Sequence, residues 1–241
     1  HLVMAYLFLK AQGLAGKPVA DIRIDGAGKK VTRSDNCRVS DLSVSSDNLT
    51  FTYEAKSLPY PIDTSYYDNE KHTQADALSV IPFMDEMNYE GLSVSGLSDG
   101  YYGLTIGGEF IGRFTARELE RGINMALLQN TPQYKQAMKI RQMNEERWLK
   151  ERKMREFYWV EYNLMRKTGM LWACDEAAVD TLRKYRPHDI FLQWNGDLWL
   201  QYMHKGIRED CVNEQQNLVD RIYEQNKPIP LRIEIKKFTD L

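Results

Sequence analysis

The spacing of the apolar residues changes at Thr115, and this change limits the fold of the whole chain. Before Thr115, apolar and polar side chains alternate in short runs such as Leu49 to Tyr53, which is typical of half-buried strands. After Thr115, apolar residues recur every three or four positions, which is typical of amphipathic helices. Strands followed by helices predict an α+β fold, and a chain of 241 residues can bury a hydrophobic core.

The first half of the chain holds several strand patterns and one clear turn signal. Gly107-Gly108 separates two runs of alternating apolar residues and predicts a two-residue hairpin turn. A stretch rich in Pro and Tyr over 57–85 has no period, so we expect a long loop with room for a short helix. The strand patterns, which we expect to form a small antiparallel, sandwich-like region, cover 19–25, 37–44, 49–53, 92–97, 102–106, 109–114 and 231–235.

The second half carries two signals for the start of a helix. Thr115 with Glu118 forms a capping-box sequence, which predicts a helix to about residue 128. Thr131-Pro132 places a capping residue before a first-turn proline and predicts a long helix over 132–168, which ends at Gly169. Further helices are predicted over 175–186 and 197–225.

The chain begins with eight consecutive apolar or aromatic residues, Leu2 to Leu9. This run is too short to span a membrane, and it lacks the basic leader of a signal peptide. A helix that is apolar on all sides is normally buried in a larger domain. We therefore expect the sequence to begin inside a domain, and no later segment predicts a membrane span.

The net charge of −2 argues against a general nucleic-acid-binding protein, which would usually be strongly basic. The charge is nevertheless uneven, since residues 131–170 hold ten Lys or Arg and five Asp or Glu. This basic run could contact phosphate or an acidic partner. Because the five acidic residues are interleaved with the basic ones, we favour an exposed face joined by salt bridges.

No recognisable catalytic or metal-binding spacing is present. The sequence has no P-loop or GxGxxG motif, and its three cysteines, Cys37, Cys174 and Cys211, form no CxxC pair. One disulfide stays open, but we favour three buried thiols. The histidines are favoured for surface or packing roles; they are His1, His72, His188 and His204. We accordingly predict no catalytic residue, cofactor or metal ligand within the chain.

The loop from Tyr60 to Tyr67 is the one candidate binding segment. Tyr60, Tyr66 and Tyr67 could stack on a sugar ring, with Asp and Asn side chains nearby to donate and accept hydrogen bonds. The alternative, in which these aromatic rings pack the loop onto a neighbouring domain, is favoured. We retain the three tyrosines as candidate substrate-binding residues.

Four segments of the chain resemble one enzyme family. His1 to Leu7 resembles the last helix of SGNH (GDSL-type) hydrolase domains, in which a Gly-His pair begins that helix. Three further segments resemble the C-terminal extension of a bacterial subset of these enzymes: the hairpin Tyr102 to Gly108, Glu118 to Ala126, and Thr131 to Ala137. The catalytic Ser, oxyanion-hole and Asp/His motifs of the family have no counterpart in the chain.

The resemblance implies a fold, an activity and partners. It assigns 1–16 to the terminal helix of an SGNH α/β core, 17–114 to a β-rich region and 115–241 to a helical region with a final strand. It implies a bacterial serine esterase or lipase-like hydrolase that cleaves acyl esters of carbohydrates, exported to the periplasm or the medium. This chain would be inactive alone and would pack against the N-terminal part of the hydrolase domain.

Two other interpretations remain open. In one, the chain is an accessory module without enzymatic activity that binds a glycan or a protein through the tyrosine-rich loop or the basic helix. In the other, which is the least favoured, the chain is a free-standing enzyme whose site has no recognisable motif.

Overall fold

The computed structural model of the protein describes residues 1–65 and 71–238, and the predicted site residues Tyr66 and Tyr67 lie outside this part of the chain. The α+β class predicted from the sequence is confirmed. The strands are β1 Ala20–Asp25, β2 Lys30–Asp35, β3 Cys37–Val44, β4 Asn48–Ala55, β5 Glu90–Ser95, β6 Tyr101–Ile106, β7 Glu109–Thr115, β8 Ile123–Asn124 and β9 Leu231–Lys237. The α-helices are α1 Leu2–Ala11, α2 Phe83–Glu86, α3 Ala116–Arg121, α4 Pro132–Val160, α5 Glu176–Tyr185, α6 Ile190–Tyr202 and α7 Lys205–Gln225.

The chain forms two compact units. Residues 1–139 and 226–241 form the first, which we call the β unit, and residues 140–225 form the second, which we call the helical unit. These compact units do not test the domain boundaries predicted from the sequence. The division into 1–16, 17–114 and 115–241 therefore stays a prediction.

The β unit contains two sheets that share one core. The first sheet has the order β2-β1-β5-β8, and the second has the order β3-β4-β9-β6-β7. The C-terminal strand β9 lies in the middle of the second sheet and pairs antiparallel with both β4 and β6. The inward residues of both sheets form one buried cluster, including Ile22, Leu92, Phe51, Leu104 and Ile233. The sandwich-like arrangement follows from this alternation, because every second residue of a strand points to the same face.

Two features of the sheets differ from the sequence prediction. Strand β1 pairs in parallel with β5, so the β region is mixed rather than wholly antiparallel. Strand β2 was not predicted, because all of its residues are exposed or half-buried and it has no apolar alternation. It is held by antiparallel pairing with β1 at the edge of the first sheet.

Helices α3 and α4 begin where the sequence predicts, but both end early. Thr115 caps α3 and forms the predicted capping box with Glu118. The helix then stops at Gly122, whose φ of 93° cannot continue an α-helix. The long helix α4 begins after Thr131, whose Oγ1 accepts a hydrogen bond from the Tyr134 N–H at 3.3 Å. It ends at Val160 and continues as one π-helical turn over Glu161–Met165.

The helical unit has its own apolar core around Trp199, which is completely buried. Phe157, Val160, Met165 and Leu182 pack in the same cluster. The helical spacing over 132–168 predicts a buried apolar stripe of Ala137, Ile140, Met143, Trp148, Met154, Phe157, Leu164 and Met165. Six of these residues are buried, Ile140 is half-buried, and Trp148 is the exception with 45% of its surface exposed. The predicted helix over 197–225 is instead the two helices α6 and α7, which are separated at Met203-His204.

Helix α1 buries one side only. Its buried residue is Tyr6, whose hydroxyl donates a 2.6 Å hydrogen bond to Glu86. Met4, Leu7 and Phe8 are exposed, so the apolar run is not enclosed on all sides by the described residues. No helix within residues 1–65 and 71–238 combines the length and the apolar character that crossing a membrane requires.

Candidate functional site

The predicted binding residue Tyr60 is held firmly and is partly exposed. Its backbone N–H donates to Asn88 Oδ1 at 2.7 Å, and its carbonyl accepts from Asn88 Nδ2 at 2.9 Å. Its hydroxyl accepts a hydrogen bond from Gln74 at 2.6 Å, and its ring meets Phe83 edge-on. Tyr60 is therefore well placed to contact a ligand or a neighbouring surface, and its substrate-binding role stays a prediction. Nothing can be added for Tyr66 and Tyr67, which fall outside the described residues.

The basic run on α4 is largely paired with acidic residues on the same helix. Arg152 bonds to Glu156 at 2.7 Å, and Glu151 accepts from Arg147 at 3.0 Å and from Arg155 at 2.7 Å. These are neighbours four residues apart on one helical face. The pairing agrees with an exposed, salt-bridged face and leaves less free positive charge for an acidic partner.

Two glutamates are buried among the described residues, and neither was singled out from the sequence. Glu90 lies in the β unit, where Tyr53 and Gln133 donate to its Oε1 at 2.8 and 3.3 Å. Burial raises the pKa of Glu90 to about 7. Since Glu90 is completely enclosed, a substrate cannot reach it, and we assign it to the core. The second, Glu161, lies in the helical unit.

The cysteines and histidines do not assemble into a recognisable site. All three cysteines are free, and Cys174 is exposed, which corrects the expectation of three buried thiols. The four histidines are all exposed. Within the described ranges, no group of three or more His, Cys, Asp or Glu side chains could hold a metal ion.

A concave site of about 360 Å³ lies within the helical unit, and we call it the aromatic cleft. Helix α4 with its π-helical turn supplies one wall, and the segment that joins α5 to α6 supplies the other. Its volume is within the range of small-molecule sites. The lining residues are Trp159, Asn163, Leu164, Lys167, Thr168, Tyr185, His188, Asp189 and Leu192.

A row of three aromatic rings extends outward from Trp159, which lines the aromatic cleft. The rings of Trp159 and Phe191 lie 5.2 Å apart, and those of Phe191 and Trp194 lie 5.5 Å apart. Trp194 is 67% exposed and Phe191 is 48% exposed, whereas most large aromatic side chains are largely buried. Exposed aromatic rings in contact beside a cavity are typical of surfaces that bind ligands or partners.

The polar groups of the aromatic cleft divide into two kinds. Asp189 caps α6 by accepting from the Phe191 and Leu192 N–H groups at 2.8 and 3.2 Å, so its carboxylate fixes the wall. By contrast, no described residue makes a hydrogen bond or an ion pair with the Lys167 ammonium, the His188 ring or the Tyr185 hydroxyl. These three groups can donate to the acceptor atoms of a bound molecule. The cleft is therefore suited to a planar aromatic ligand that carries a carbonyl or another acceptor.

The sequence contained only a partial signal for this site. Asp189 followed by an apolar run marks a helix start, and Ile190, Phe191 and Trp194 are more apolar than a solvent-facing helix needs. The cleft itself depends on the packing of α4 against α6, which joins residues about thirty positions apart. Spacing along the chain does not predict that contact.

Comparison with known proteins gives a consistent result. Residues 138–227 match the family described as the diltiazem deacetylase C-terminal helical domain. A solved structure of a gut microbial diltiazem-metabolizing enzyme is 39% identical to this chain, with a TM-score of 0.92, and covers 99% of it. The chain in turn covers 54% of that structure, so it spans about half of its length. No curated protein matches the chain.

These comparisons correct the family predicted from the sequence. The SGNH (GDSL-type) assignment is wrong, since the matching family and the matching structure are those of diltiazem-metabolizing proteins. The interpretation of residues 1–16 as the terminal helix of an SGNH core is wrong for the same reason. The structural match runs through α1 together with 99% of the chain.

The function and the partners inferred from that resemblance are corrected with it. The predicted truncated hydrolase, its N-terminal SGNH partner and its acylated carbohydrate substrate have no support in the matches found. The alternative of a glycan- or protein-binding module stays a prediction, because the chain covers only 54% of the matching enzyme structure.

Proposed function

We propose that this chain is part of an enzyme that removes acetyl groups from small aromatic molecules. The observation that carries the proposal is 39% identity with a diltiazem-metabolizing enzyme over 99% of the chain, at a TM-score of 0.92. The match of residues 138–227 to a domain of diltiazem deacetylase supports the same activity. In this reaction water cleaves the acetyl ester and releases acetate and the free hydroxyl group.

The aromatic cleft is our candidate for the surface that holds the aromatic part of the substrate. It lies within the residues that match the deacetylase domain, and its lining residue Trp159 contacts the neighbouring rings of Phe191 and Trp194 in a row. Ring stacking would bind the substrate and the transition state equally, since the rings are not reacting groups. A contact of this kind lowers KM and leaves kcat nearly unchanged.

The activity is tested by incubating the protein, as its gene encodes it, with diltiazem and measuring deacetylated diltiazem and acetate by mass spectrometry. We expect equal amounts of the two products, formed in proportion to protein concentration. If diltiazem stays intact while the gut microbial enzyme converts it in parallel, the proposal fails.

The role of the aromatic cleft is tested separately by Trp194→Ala. Loss of one exposed aromatic contact should raise KM by about threefold to tenfold with kcat nearly unchanged. Trp194 continues the row of rings that begins at the lining residue Trp159. Trp148→Ala is the matched control, because Trp148 is also an exposed tryptophan of the helical unit and contacts none of these rings. Equal KM values for the two variants would exclude this row of rings as a substrate contact and leave the deacetylase proposal standing.

Export to the periplasm or the medium also belongs to the proposal. An exported enzyme would meet aromatic compounds that reach the cell from outside. Fractionation of the source cells with an antibody to the chain tests it, and recovery in the cytosolic fraction alone would contradict export.

A further inference from the structure

Three exposed aromatic side chains of the helical unit form a second group, apart from the aromatic cleft. Tyr158 and Tyr162 lie one helical turn apart, and each ring centroid is 6.0 Å from that of Trp172. Both tyrosine rings stand nearly perpendicular to the indole, at 87° and 86°. We call these three residues the aromatic box. Its rings are 39%, 45% and 46% exposed, so they are not filling the core.

Trp172 has a backbone conformation that tryptophan rarely adopts. Its φ is +65°, in the left-handed region that glycine occupies most easily and that bulky side chains avoid. A simple turn at this position would favour glycine. Retaining a half-exposed tryptophan there indicates that the indole ring has a use at the surface.

A buried carboxylate holds this conformation. Glu161 is only 1% exposed and lies in the π-helical turn that follows α4. Its Oε2 accepts from the Trp172 backbone N–H at 2.8 Å, and its Oε1 accepts from Trp199 Nε1 at 2.7 Å. The strained residue is thus fixed from the interior, while its ring remains at the surface. A π-helical turn is itself a feature often found at functional sites.

The aromatic box borders a cleft of about 580 Å³, whose lining includes Tyr158. Two of the charged residues in this cleft are already paired, since Lys205 lies 3.4 Å from Glu209. Arg208 donates to the carbonyls of Tyr202 and Met203. Neither Arg208 nor the lining residue Asp210 has an ion pair among the described residues, so the cleft holds one unpaired positive and one unpaired negative charge.

We propose that the aromatic box binds an organic cation, specifically a tertiary or quaternary ammonium group. The faces of tryptophan and tyrosine rings attract cations. Alkylated ammonium ions are weakly hydrated, so moving them from water onto such a face costs little desolvation free energy. The chain shows the same attraction itself, because the Arg166 guanidinium lies 5.7 Å from the Tyr162 ring. The Asp210 carboxylate offers the cation one negative group at the edge of the cleft. This inference does not rest on the deacetylase proposal.

The first test compares choline with its neutral isostere 3,3-dimethylbutanol, using the protein as encoded. Binding is measured by the tryptophan fluorescence change and by isothermal titration calorimetry. We expect choline to bind at least about fivefold more tightly than the neutral isostere. Equal affinity, or no choline binding at millimolar concentrations, would overturn the proposal.

The second test is Trp172→Gly, which removes the ring and also relieves the backbone strain. We expect the urea midpoint to stay close to that of the parent protein while choline binding is lost. Trp148→Ala is the control, because it removes a tryptophan of nearly equal exposure (45%) from α4 and should retain choline binding.

If Trp172→Gly unfolds the helical unit, Tyr162→Leu keeps the test decisive, since this exposed side chain can be removed with little effect on the core. Undiminished choline binding by Tyr162→Leu would overturn the proposal.

Discussion

The hydroxyl of Tyr53 donates a 2.8 Å hydrogen bond to Oε1 of Glu90 inside the core of the β unit. Both side chains are almost completely buried, at 1% and 0% exposure. The other carboxylate oxygen of Glu90, Oε2, has no hydrogen-bond partner among the described residues. Burial raises the pKa of Glu90 to about 7, and the hydrogen bonds from Tyr53 and Gln133 lower it by less. The folded protein therefore holds a proton on Glu90 across the mildly acidic range.

The first prediction concerns the pH dependence of stability. In the unfolded chain Glu90 has the ordinary pKa of 4.5, so below that pH the carboxyl is protonated in both states. Between pH 4.5 and about 7 only the folded state keeps the proton, so the free energy of unfolding falls as the pH rises. The total loss should be at most about 3 kcal/mol, and it should level off above pH 7. Urea unfolding at a series of pH values measures it.

Two variants separate Glu90 from other titrating groups. Glu90→Gln has no proton to lose, so its stability should lack this decline and exceed that of the parent at pH 8. Glu54→Gln changes a half-buried glutamate on β4 that pairs with Arg38, and this variant should keep the decline. A Glu90→Gln profile that parallels the parent profile would show that another group is responsible.

The second prediction concerns Glu161 in the helical unit. Its two oxygens accept from two donors, Trp199 Nε1 and the Trp172 backbone N–H. Only a carboxylate offers two acceptors in this geometry, because an amide would turn its NH₂ group toward one of the N–H groups. Glu161→Gln should therefore destabilise the helical unit by about 1–3 kcal/mol, despite its equal size. Gln215→Glu on α7, the reverse exchange at a position outside this hydrogen-bond pair, is the control. An equal shift in the urea midpoint for both variants would contradict the argument.

Local signals explain the parts of the fold that the sequence predicted well. The Gly107-Gly108 turn and the Thr115–Glu118 capping box both depend on residues within four positions of each other, and both are present. Strand β2 was missed, because its pairing with β1 gives its side chains no buried face and therefore no period. The end of α3 at Gly122 was missed, because the apolar period continues through Met125 while the backbone turns into β8.

The sites were harder to predict than the fold. Glu90 and Glu161 are buried only because distant segments enclose them, and a glutamate in a sequence is normally read as exposed. The aromatic cleft combines residues of α4 and α6 in the same way, and the aromatic box joins α4 and its π-helical turn to the turn that contains Trp172. Tyr60 was singled out because several aromatic residues are adjacent in the chain, which is the one kind of cluster that a sequence displays directly.

The third prediction concerns the hairpin turn between β6 and β7. Gly107 has a φ of +59°, and a Cβ atom there would lie 3.3 Å from side-chain atoms of both Leu231 and Pro132. Gly107→Ala should therefore lower the free energy of unfolding by about 1–2 kcal/mol through backbone strain and crowding. Gly206→Ala on α7 should act in the opposite direction, because a Cβ atom there meets no atom within 4 Å. It should raise stability by about 0.5–1 kcal/mol, as alanine favours helix over glycine. Thermal unfolding of both variants checks the pair, and a change of the same sign in both would refute the explanation.

The fourth prediction concerns the cap of α3. The Thr115 side chain accepts a hydrogen bond from the Glu118 N–H at 3.1 Å, and Glu118 Oε2 accepts from the Thr115 N–H at 2.7 Å. These two bonds satisfy backbone donors that would otherwise be unpaired at the start of the helix. Thr115→Ala removes the first acceptor and should cost about 1 kcal/mol of stability, whereas Thr115→Ser keeps the oxygen and should cost much less.

The capping bond also holds the Glu118 carboxylate, whose pKa is lowered by its hydrogen bonds from the Thr115 backbone and side chain. A lowered pKa means that the stability supplied by Glu118 is present at neutral pH and is lost as the pH falls through the folded-state pKa. The gap between Thr115→Ser and Thr115→Ala in urea unfolding should therefore be larger at pH 7 than at pH 3, and a gap that widens toward acid would show that the two hydrogen bonds do not act together.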